Sequence, residues 1–318
     1  MNIYIRSMAM GILLLTVNAG LASQALQVVP GDCQAADRYC DIQSAIDAAD
    51  AGDVITLSAG DYELWQESIT INKAITLQGE SAQSTRLLGE GDAPLALINI
   101  TADAEQVVLK DITVADRTVS GSAAMGPGGL DHRGGDLTID GVVFKNNRGG
   151  WGGAVRVDLL FGTVLVRDSE FTGNTGFAGG GLAVYNGNAL ELVIEASVFR
   201  GNNAVFSGGA VLMRDVAQAQ LINVQVVNNT AGNTGGGVHV FTDTGAIELM
   251  VESSTITGNE AAKVGGLSTF GDNIAVALQG TTLKDNKSRH GLPAVDCGGV
   301  AFDLRGENTI GQQNRCQK

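Results

Sequence analysis

Six copies of a Φ-x-x-N pattern, with Φ apolar, run through the second half of the chain. They are FKNN from Phe144, FTGN from Phe171, FRGN from Phe199, VVNN from Val226, ITGN from Ile256 and LKDN from Leu283. Their starts lie 27, 28, 27, 30 and 27 residues apart. Shortly after each of the first five comes a glycine-rich turn into an apolar run: GGAV at Gly152, GGGL at Gly179, GGAV at Gly208, GGGV at Gly235 and GGL at Gly265. The sixth has LPAV at Leu292 instead. After each turn the chain alternates as a strand does (VHVF), and a second β-rich run such as ELVIEASVF follows.

A repeat of this length, with three short β segments and no helical period, is one coil of a parallel β-helix. No single coil can bury its own apolar face, so the coils must stack into a continuous column. The pattern therefore predicts an all-β fold: a single-stranded parallel β-helix (solenoid), right-handed as β-crossovers are, with a short N-terminal capping helix. Phe144, Phe171 and Phe199 are expected to stack inside, continued by Val226, Ile256 and Leu283. Asn147, Asn174, Asn202, Asn229, Asn259 and Asn286 fall on one line, where amides bond from coil to coil. Strands about 4.8 Å apart leave little space at the turns, which is a reason for glycine there.

Upstream, shorter apolar runs (DVITL, SITI, AITLQG, LALINI, VVLKDITV) mark less regular coils. Before them, Ile42, Ala45, Ile46 and Ala49 share one helical face, with Asp41 as N-cap and Gly52 as the stop. This helix is the expected lid on the open apolar end. The domain reading is a signal peptide at 1–25 and a β-helix at 26–318. Within the latter, 26–53 form the N-terminal cap, 54–135 the irregular coils, 136–295 the regular repeats and 296–318 a disulfide-closed C-terminal cap.

The signal reading rests on Arg6, the run MAMGILLLTV and small residues suited to cleavage after Ala22 or Ala25. That run is well short of the ~20 apolar residues needed to span a bilayer, and none of spanning length follows. The expectation is an exported monomer, periplasmic or extracellular, with no membrane span. Four cysteines suit an oxidising compartment and allow three connectivities. Roughly eight to ten coils at ~4.8 Å separate the two ends, and disulfide Cα atoms lie within about 7 Å. Cross-pairing is thereby excluded, leaving Cys33–Cys40 and Cys297–Cys316.

The formal net charge of −14 argues against nucleic acid, which needs clustered cations. His132, His239 and His290 sit in different coils without ligand spacing, so no metal site and no cofactor is assigned. So acidic a chain leaves room for a surface Ca²⁺ with no assigned ligands.

Aligning the strands after the glycine turns gives two outward columns: Arg156, Ala183, Leu212, His239, Ser268, and Asp158, Tyr185, Arg214, Phe241, Phe270. Trp151, Phe177 and Phe206 lie in the turns just before them. The apolar faces of sugar rings suit such aromatics, so Trp151, Phe177, Tyr185, Arg214, His239, Phe241 and Phe270 are the candidate binding residues for a polysaccharide or cell-surface glycan. The same aromatics also read as a ladder stacked for stability. The irregular segment 115–135 is expected to loop out, bringing Asp131, His132 and Arg133 near Lys145, Arg148, Arg156 and Asp158. A lyase needs a base and a cation beside the substrate carboxylate, so Asp131, His132, Arg133, Arg156 and Asp158 are the candidate catalytic set.

The pairing of FxxN with GGA[ILV] over Val142 to Val295 resembles the repeat of the chlamydial polymorphic outer membrane proteins, which implies an adhesin-like role. IQSAIDAADAGDVITLSAGDYE resembles the opening of pectin-lyase-like β-helix proteins. Cys297, the run Asn308-Thr-Ile-Gly311 and Cys316 look like the tail of secreted bacterial right-handed β-helix proteins. VDLLFG (Val157 to Gly162) is similar to the VDFIFG of pectin methylesterases, which implies Asp158 as a catalytic carboxylate. The esterases' LGRPW motif and a QDT-type partner are absent, as are the pectate lyase and polygalacturonase signatures. The reading is a non-catalytic, exported glycan- or surface-binding module. The competing reading is a polysaccharide lyase or related enzyme on an acidic polysaccharide.

Overall fold

The computed structural model describes residues 25–29, 38–120, 125–290, 295–311 and 316. The predicted signal segment and Cys33, hence the Cys33–Cys40 pairing, lie outside the described residues. Every pairing between strands is parallel, and neighbours in each sheet come from successive coils. Among the described residues a long sheet has twelve strands, the sheet carrying the Φ-x-x-N motif ten, the sheet after the glycine turns nine, and a narrow fourth sheet five. This is a parallel β-helix with one short helix, as the repeat predicts.

Side chains alternate in and out along each strand, so one residue per coil enters each interior column. The Φ positions form such a column: Tyr62, Leu87, Val114, Phe144, Phe171, Phe199, Val226, Ile256, Leu283 and Ile310 pair one to the next. The three phenylalanine rings stack at 5.0 and 4.4 Å. The irregular upstream coils thus share the register of the regular ones although they lack the motif.

The asparagine line is a hydrogen-bonded ladder, fully buried. Asn174 Oδ1 accepts from both Asn147 N (2.9 Å) and Asn147 Nδ2 (3.2 Å), and Asn174 Nδ2 also donates to the carbonyl of Phe144 (3.0 Å). The same bonds repeat through Asn202, Asn229, Asn259 and Asn286. Asp296 ends the ladder, its Oδ1 accepting from Asn286 N and Nδ2 at 2.9 Å each. Burial pushes the Asp296 carboxyl up, with the two Asn286 bonds opposing. A second ladder of hydroxyls runs beside the first: Ser169, Ser197 and Ser254 each accept a backbone N–H from the preceding coil. Asn308 caps it by accepting from Thr281 N at 2.9 Å. The tail Asn308-Thr-Ile-Gly311 is therefore a last half-coil that supplies Asn308 to one ladder and Ile310 to the apolar column.

From the strand Gln106–Lys110 onward, the corner after a long-sheet strand takes a left-handed residue. Asp111, Gly141, Asp168, Ala196, Asn223, Ser253 and Gly280 take it, with φ between 46° and 64°. Asp and Asn are the side chains that tolerate this conformation best. At the glycine turn two constraints act in succession. Gly179 has φ +65°, and a Cβ on Gly180 would land on the carbonyl oxygen of Gly209 in the next coil.

The helix spans Ile42–Ala48, with the Asp41 side chain accepting from Ser44 N at 2.8 Å and Ile42, Ala45 and Ile46 buried on the first coils. It ends at the C-cap Ala49, three residues before Gly52. Gly52, at φ +96°, instead makes the turn toward the strand Val54–Leu57. At the far end Cys297 and Cys316 are joined, Cα atoms 5.6 Å apart. There the apolar run Val300 to Phe302 is not a strand; Phe302 packs on the core, and the exposed strand Asp303–Arg305 closes the long sheet.

The ladder gives a direct test. Asn202→Leu keeps the volume but leaves the N–H and one amide hydrogen of Asn174 without an acceptor in a dry interior, at about 1–3 kcal/mol for each orphaned group. Urea unfolding is expected to show a loss of that order. Asn228→Gly, at an exposed left-handed corner (φ 57°), is expected to change stability by only a few tenths of a kcal/mol, a residual set by glycine's extra unfolded freedom.

Candidate functional site

The two outward columns have the predicted register: Arg156, Ala183, Leu212, His239 and Ser268 pair in sequence, as do Arg214, Phe241 and Phe270. Their surroundings differ from those of an open face. The turns before the glycines fold over this sheet and form a second layer, so Ala183, Tyr185, Leu212, His239 and Ser268 point away from the solenoid interior yet are buried. Trp151 stands edge-on to Tyr185 (4.9 Å, 82°) and to Phe177 (5.7 Å, 65°). Trp151 and Tyr185, together with Ala178, Ala183 and Leu212, make a small core outside the main one.

Further along, the covering layer parts and leaves a groove of about 700 Å³, within the usual range for ligand sites. Leu212, His239, Ser268 and Gly298 line its floor. One wall is Arg214, Phe241 and Phe270; the other is Phe206, Asn233 and Lys263. The second wall is a ladder of turns, Asn233 N donating to Phe206 O (2.7 Å) and Lys263 N to Asn233 O (2.8 Å). Phe241 and Phe270 lie 5.6 Å apart, and Phe270 is 67% exposed. The Arg214 guanidinium sits 5.6 Å over the Phe241 ring, a cation–π contact. Arg214 is paired with Asp243 (2.5 Å) and Asp215 (3.6 Å), whereas the Lys263 ammonium has no ion-pair partner among the described residues. Among the described residues no Asp or Glu lines the groove.

His239 Nδ1 meets Ser268 Oγ at 2.7 Å. Burial pulls His239 down to about 4, against the contact with Ser268, so the imidazole is neutral near pH 7.

Of the predicted binding residues, the groove therefore gathers Trp151, Arg214, His239, Phe241 and Phe270. Phe177 does not line it: at 42% exposed, it stacks parallel on Phe206 (5.9 Å, 3°) along the outer lip. Tyr185, 7% exposed, lies under Trp151, and its phenol, pushed up by burial, has no hydrogen-bond partner among the described residues. Phe206 and Lys263, outside the predicted set, also line it. Their signal was present in the repeat, since both stand two residues before the repeat glycines Gly208 and Gly265.

The candidate catalytic residues are arranged differently from the expected loop. Leu130–His132 is a strand, paired with Ile98–Ile100 and with Val155–Asp158, because its apolar alternation continues the column of its neighbours. His132 consequently points inward and is fully buried, Nε2 on Gly135 O at 2.8 Å, out of reach of any substrate. Desolvation pulls it down to about 4. Asp131 points outward into a bidentate pair with Arg156 (2.8 and 2.7 Å), and Arg133 approaches the same carboxylate at 3.4 Å. Asp158 accepts from Asn186 Nδ2 at 2.7 Å. The position one coil upstream of Asp158 continues into Arg133, a cation rather than a second carboxylate. Lys145 belongs to the Φ-x-x-N sheet and Arg148 bridges Thr118 and Thr175, so of the four residues expected near Asp131 only Arg156 bonds it. Among the described residues no group of His, Cys, Asp and Glu is placed to hold a metal, and no helix is long and apolar enough to cross a membrane.

No protein-family model and no curated protein matches this chain. Among solved structures it is similar to the pectin methylesterase from Aspergillus niger, with a TM-score of 0.52 at 14% identity over 94% of this chain and 91% of that one. A deglycosylated form of that enzyme matches at 0.52 and 15%, over 90% and 93%. The carrot pectin methylesterase reaches 0.44 at 11%, over 91% and 90%. The likeness is one of fold.

The two buried imidazoles set a pH dependence. In the folded chain they stay neutral down to about pH 4, while in the unfolded chain they take up protons near their ordinary 6.5. The unfolded state then binds more protons between those values, so stability falls as pH drops through that window. The loss at pH 4.5 is at most about 2–3 kcal/mol per histidine. Asp296, whose folded carboxyl is raised, opposes this and regains part of it on acidification. Denaturant titrations at pH 7.5 and 4.5 should show the drop, and His132→Gln with His239→Gln should flatten it; an unchanged slope in the double variant would refute the assignment.

Proposed function

We propose that the protein is exported and binds a glycan, without turning it over, in the lateral groove. The observation that carries this reading is the composition of the lining: Trp151, Phe206, Phe241 and Phe270 offer ring faces and edges, Arg214 and Lys263 offer donors, and among the described residues no carboxylate is present. Sugar rings have apolar faces that pack on aromatics and hydroxyls that need polar groups at the rim, and this lining supplies both. The absence of acids matters twice. Glycoside hydrolysis uses a pair of carboxylates flanking the bond, and none lines the groove. In a chain of net charge −14, a groove with no acid in its lining and an ammonium without an ion-pair partner, among the described residues, is also a place where an anionic sugar meets little repulsion at contact range. The carboxylates of the lyase reading are engaged elsewhere, Asp131 with Arg156 and Asp158 with Asn186. The oxidised Cys297–Cys316 pair and the N-terminal apolar run support export.

Affinity electrophoresis against polygalacturonate, alginate, xylan, cello-oligosaccharides and chito-oligosaccharides tests the reading. Retention on at least one is expected, with no unsaturated-uronate absorbance and no new reducing ends. Phe241→Ala and Phe270→Ala should each weaken retention about tenfold, and Phe161→Ala, 71% exposed but outside the groove, should not. Turnover that vanishes in Arg156→Ala would replace binding by catalysis.

A further inference from the structure

The two walls of the groove come from different parts of each coil, and their chemistries differ. One wall takes the last residues of the strands Val211–Arg214, Val238–Phe241 and Leu267–Phe270. The other takes the residues two before the repeat glycines: Phe206, Asn233 and Lys263. Each coil thus gives the groove one residue on each side, Phe206 with Arg214, Asn233 with Phe241 and Lys263 with Phe270. In every pair one side is an aromatic ring and the other a hydrogen-bonding head.

The middle coil, that of Asn233 and Phe241, is flanked at the groove by coils that are both among the described residues. Backbone bonds hold its turn in place. Asn233 N donates to Phe206 O at 2.7 Å, Asn233 O accepts from Lys263 N at 2.8 Å, and Thr234 O accepts from Gly208 N at 3.2 Å. Asn233 and Thr234 both line the groove and are half-buried. Neither the Asn233 amide nor the Thr234 hydroxyl has a hydrogen-bond partner among the described residues. Across from them stands the half-buried ring of Phe241, with Phe270 5.6 Å from it.

A pyranose whose hydroxyls are all equatorial has two apolar faces and a polar rim. One axial hydroxyl makes one face polar and leaves the other apolar. We infer that the groove selects a pyranose with an axial hydroxyl, its apolar face on Phe241 and its axial oxygen on Asn233 and Thr234. The inference rests on the glycan-binding reading above and names the class of sugar. An axial hydroxyl can accept from the Asn233 amide and donate to Thr234 Oγ1. An all-equatorial ring would set C–H bonds against both groups and leave them unpaired, which is costly once water is excluded. A site built to bond a ligand hydroxyl discriminates against the analogue that lacks it there.

The test compares epimers. β-1,4-Linked manno- and cello-oligosaccharides differ only at O2, and β-1,3-linked galacto- and gluco-oligosaccharides only at O4. β-1,4-Linked oligomannuronate and oligoglucuronate repeat the first comparison with a carboxylate on every ring. Fractions of equal length are titrated into the intact protein by calorimetry. The axial member of at least one pair is expected to bind about tenfold or more tightly than its epimer, and that pair identifies the position read. No axial preference in any pair would overturn the selection while leaving glycan binding in place. Retention of a panel glycan when none of these oligomers binds would overturn it as well. If the wild-type protein binds no glycan at all, both readings fall together. Variants locate the selection. Asn233→Ala and Thr234→Val should bring the ratio between epimers toward one, whereas Phe241→Ala should weaken both epimers alike and keep their ratio. Thermal unfolding of each variant separates a changed groove from a lost fold, and the wild-type comparison decides the question even if no variant folds.

Discussion

The coil-to-coil amide bonds of the buried asparagines hold the register on which everything else depends. From Asn174 onward each of these side chains does three things at once: its oxygen accepts the backbone N–H and the amide of the preceding coil's asparagine, and its nitrogen reaches a carbonyl of that same preceding coil. No apolar residue of that size satisfies those groups, and a chain slipped by one residue would turn the amides outward and the Φ side chains with them. The ladder is a buried polar network of the kind that stabilises only when every member is satisfied. Its ends meet that condition. Arg117 N donates to Asn147 Oδ1 at one end, and Asp296 accepts from Asn286 at the other. A carboxylate can receive both donors of the last asparagine and donates nothing further, which makes it a terminator that another asparagine could not be.

The fixed register explains how a repetitive scaffold carries a single site. Every coil presents the same two outward positions on the glycine-turn sheet, and the backbone there barely changes from coil to coil. What varies is side-chain bulk. Where the column carries Arg156 and the neighbouring positions carry Trp151 and Tyr185, the outer layer is solid. Where it carries Leu212, His239 and Ser268, the groove lies over it. The groove is thus written in side-chain volume along the solenoid axis, not in an inserted loop, and its position is as rigid as the ladder that sets the coil spacing.

Those facts also decide what could be read beforehand. The Φ column, the asparagine ladder and the glycine turns were legible because stacking demands the same residue type at the same place in every coil, and that demand appears as a period. The hydroxyl ladder was less visible: serine is common, and the line breaks at Val224, which has no hydroxyl to offer Ser197. The strand Leu130–His132 was hidden because its coil lacks the motif, so His132 read as a loop residue although it belongs to the interior. The outward columns were correct in register, but alignment of strands says nothing about the turns that fold across them. Hence Tyr185 was expected at the surface and is buried, while Phe206 stood in the right column and Lys263 took its place two coils on.

Arg117 shows how far burial of charge is tolerated when the backbone supplies the partners. It is fully buried, with no carboxylate bonded to it among the described residues, and its guanidinium donates to the carbonyls of Leu64, Trp65 and Glu67. Desolvation pulls it down to about 10, which still leaves it charged at neutral pH. Three carbonyl dipoles aimed at a planar fork replace the counterion, and in return the segment around Trp65 is tied to a coil some fifty residues later in the chain. Arg117 also donates the backbone N–H that starts the asparagine ladder. The irregular first half is thereby anchored to the regular second half at the point where the motif begins, which is why coils with no recognisable repeat still stack in its register.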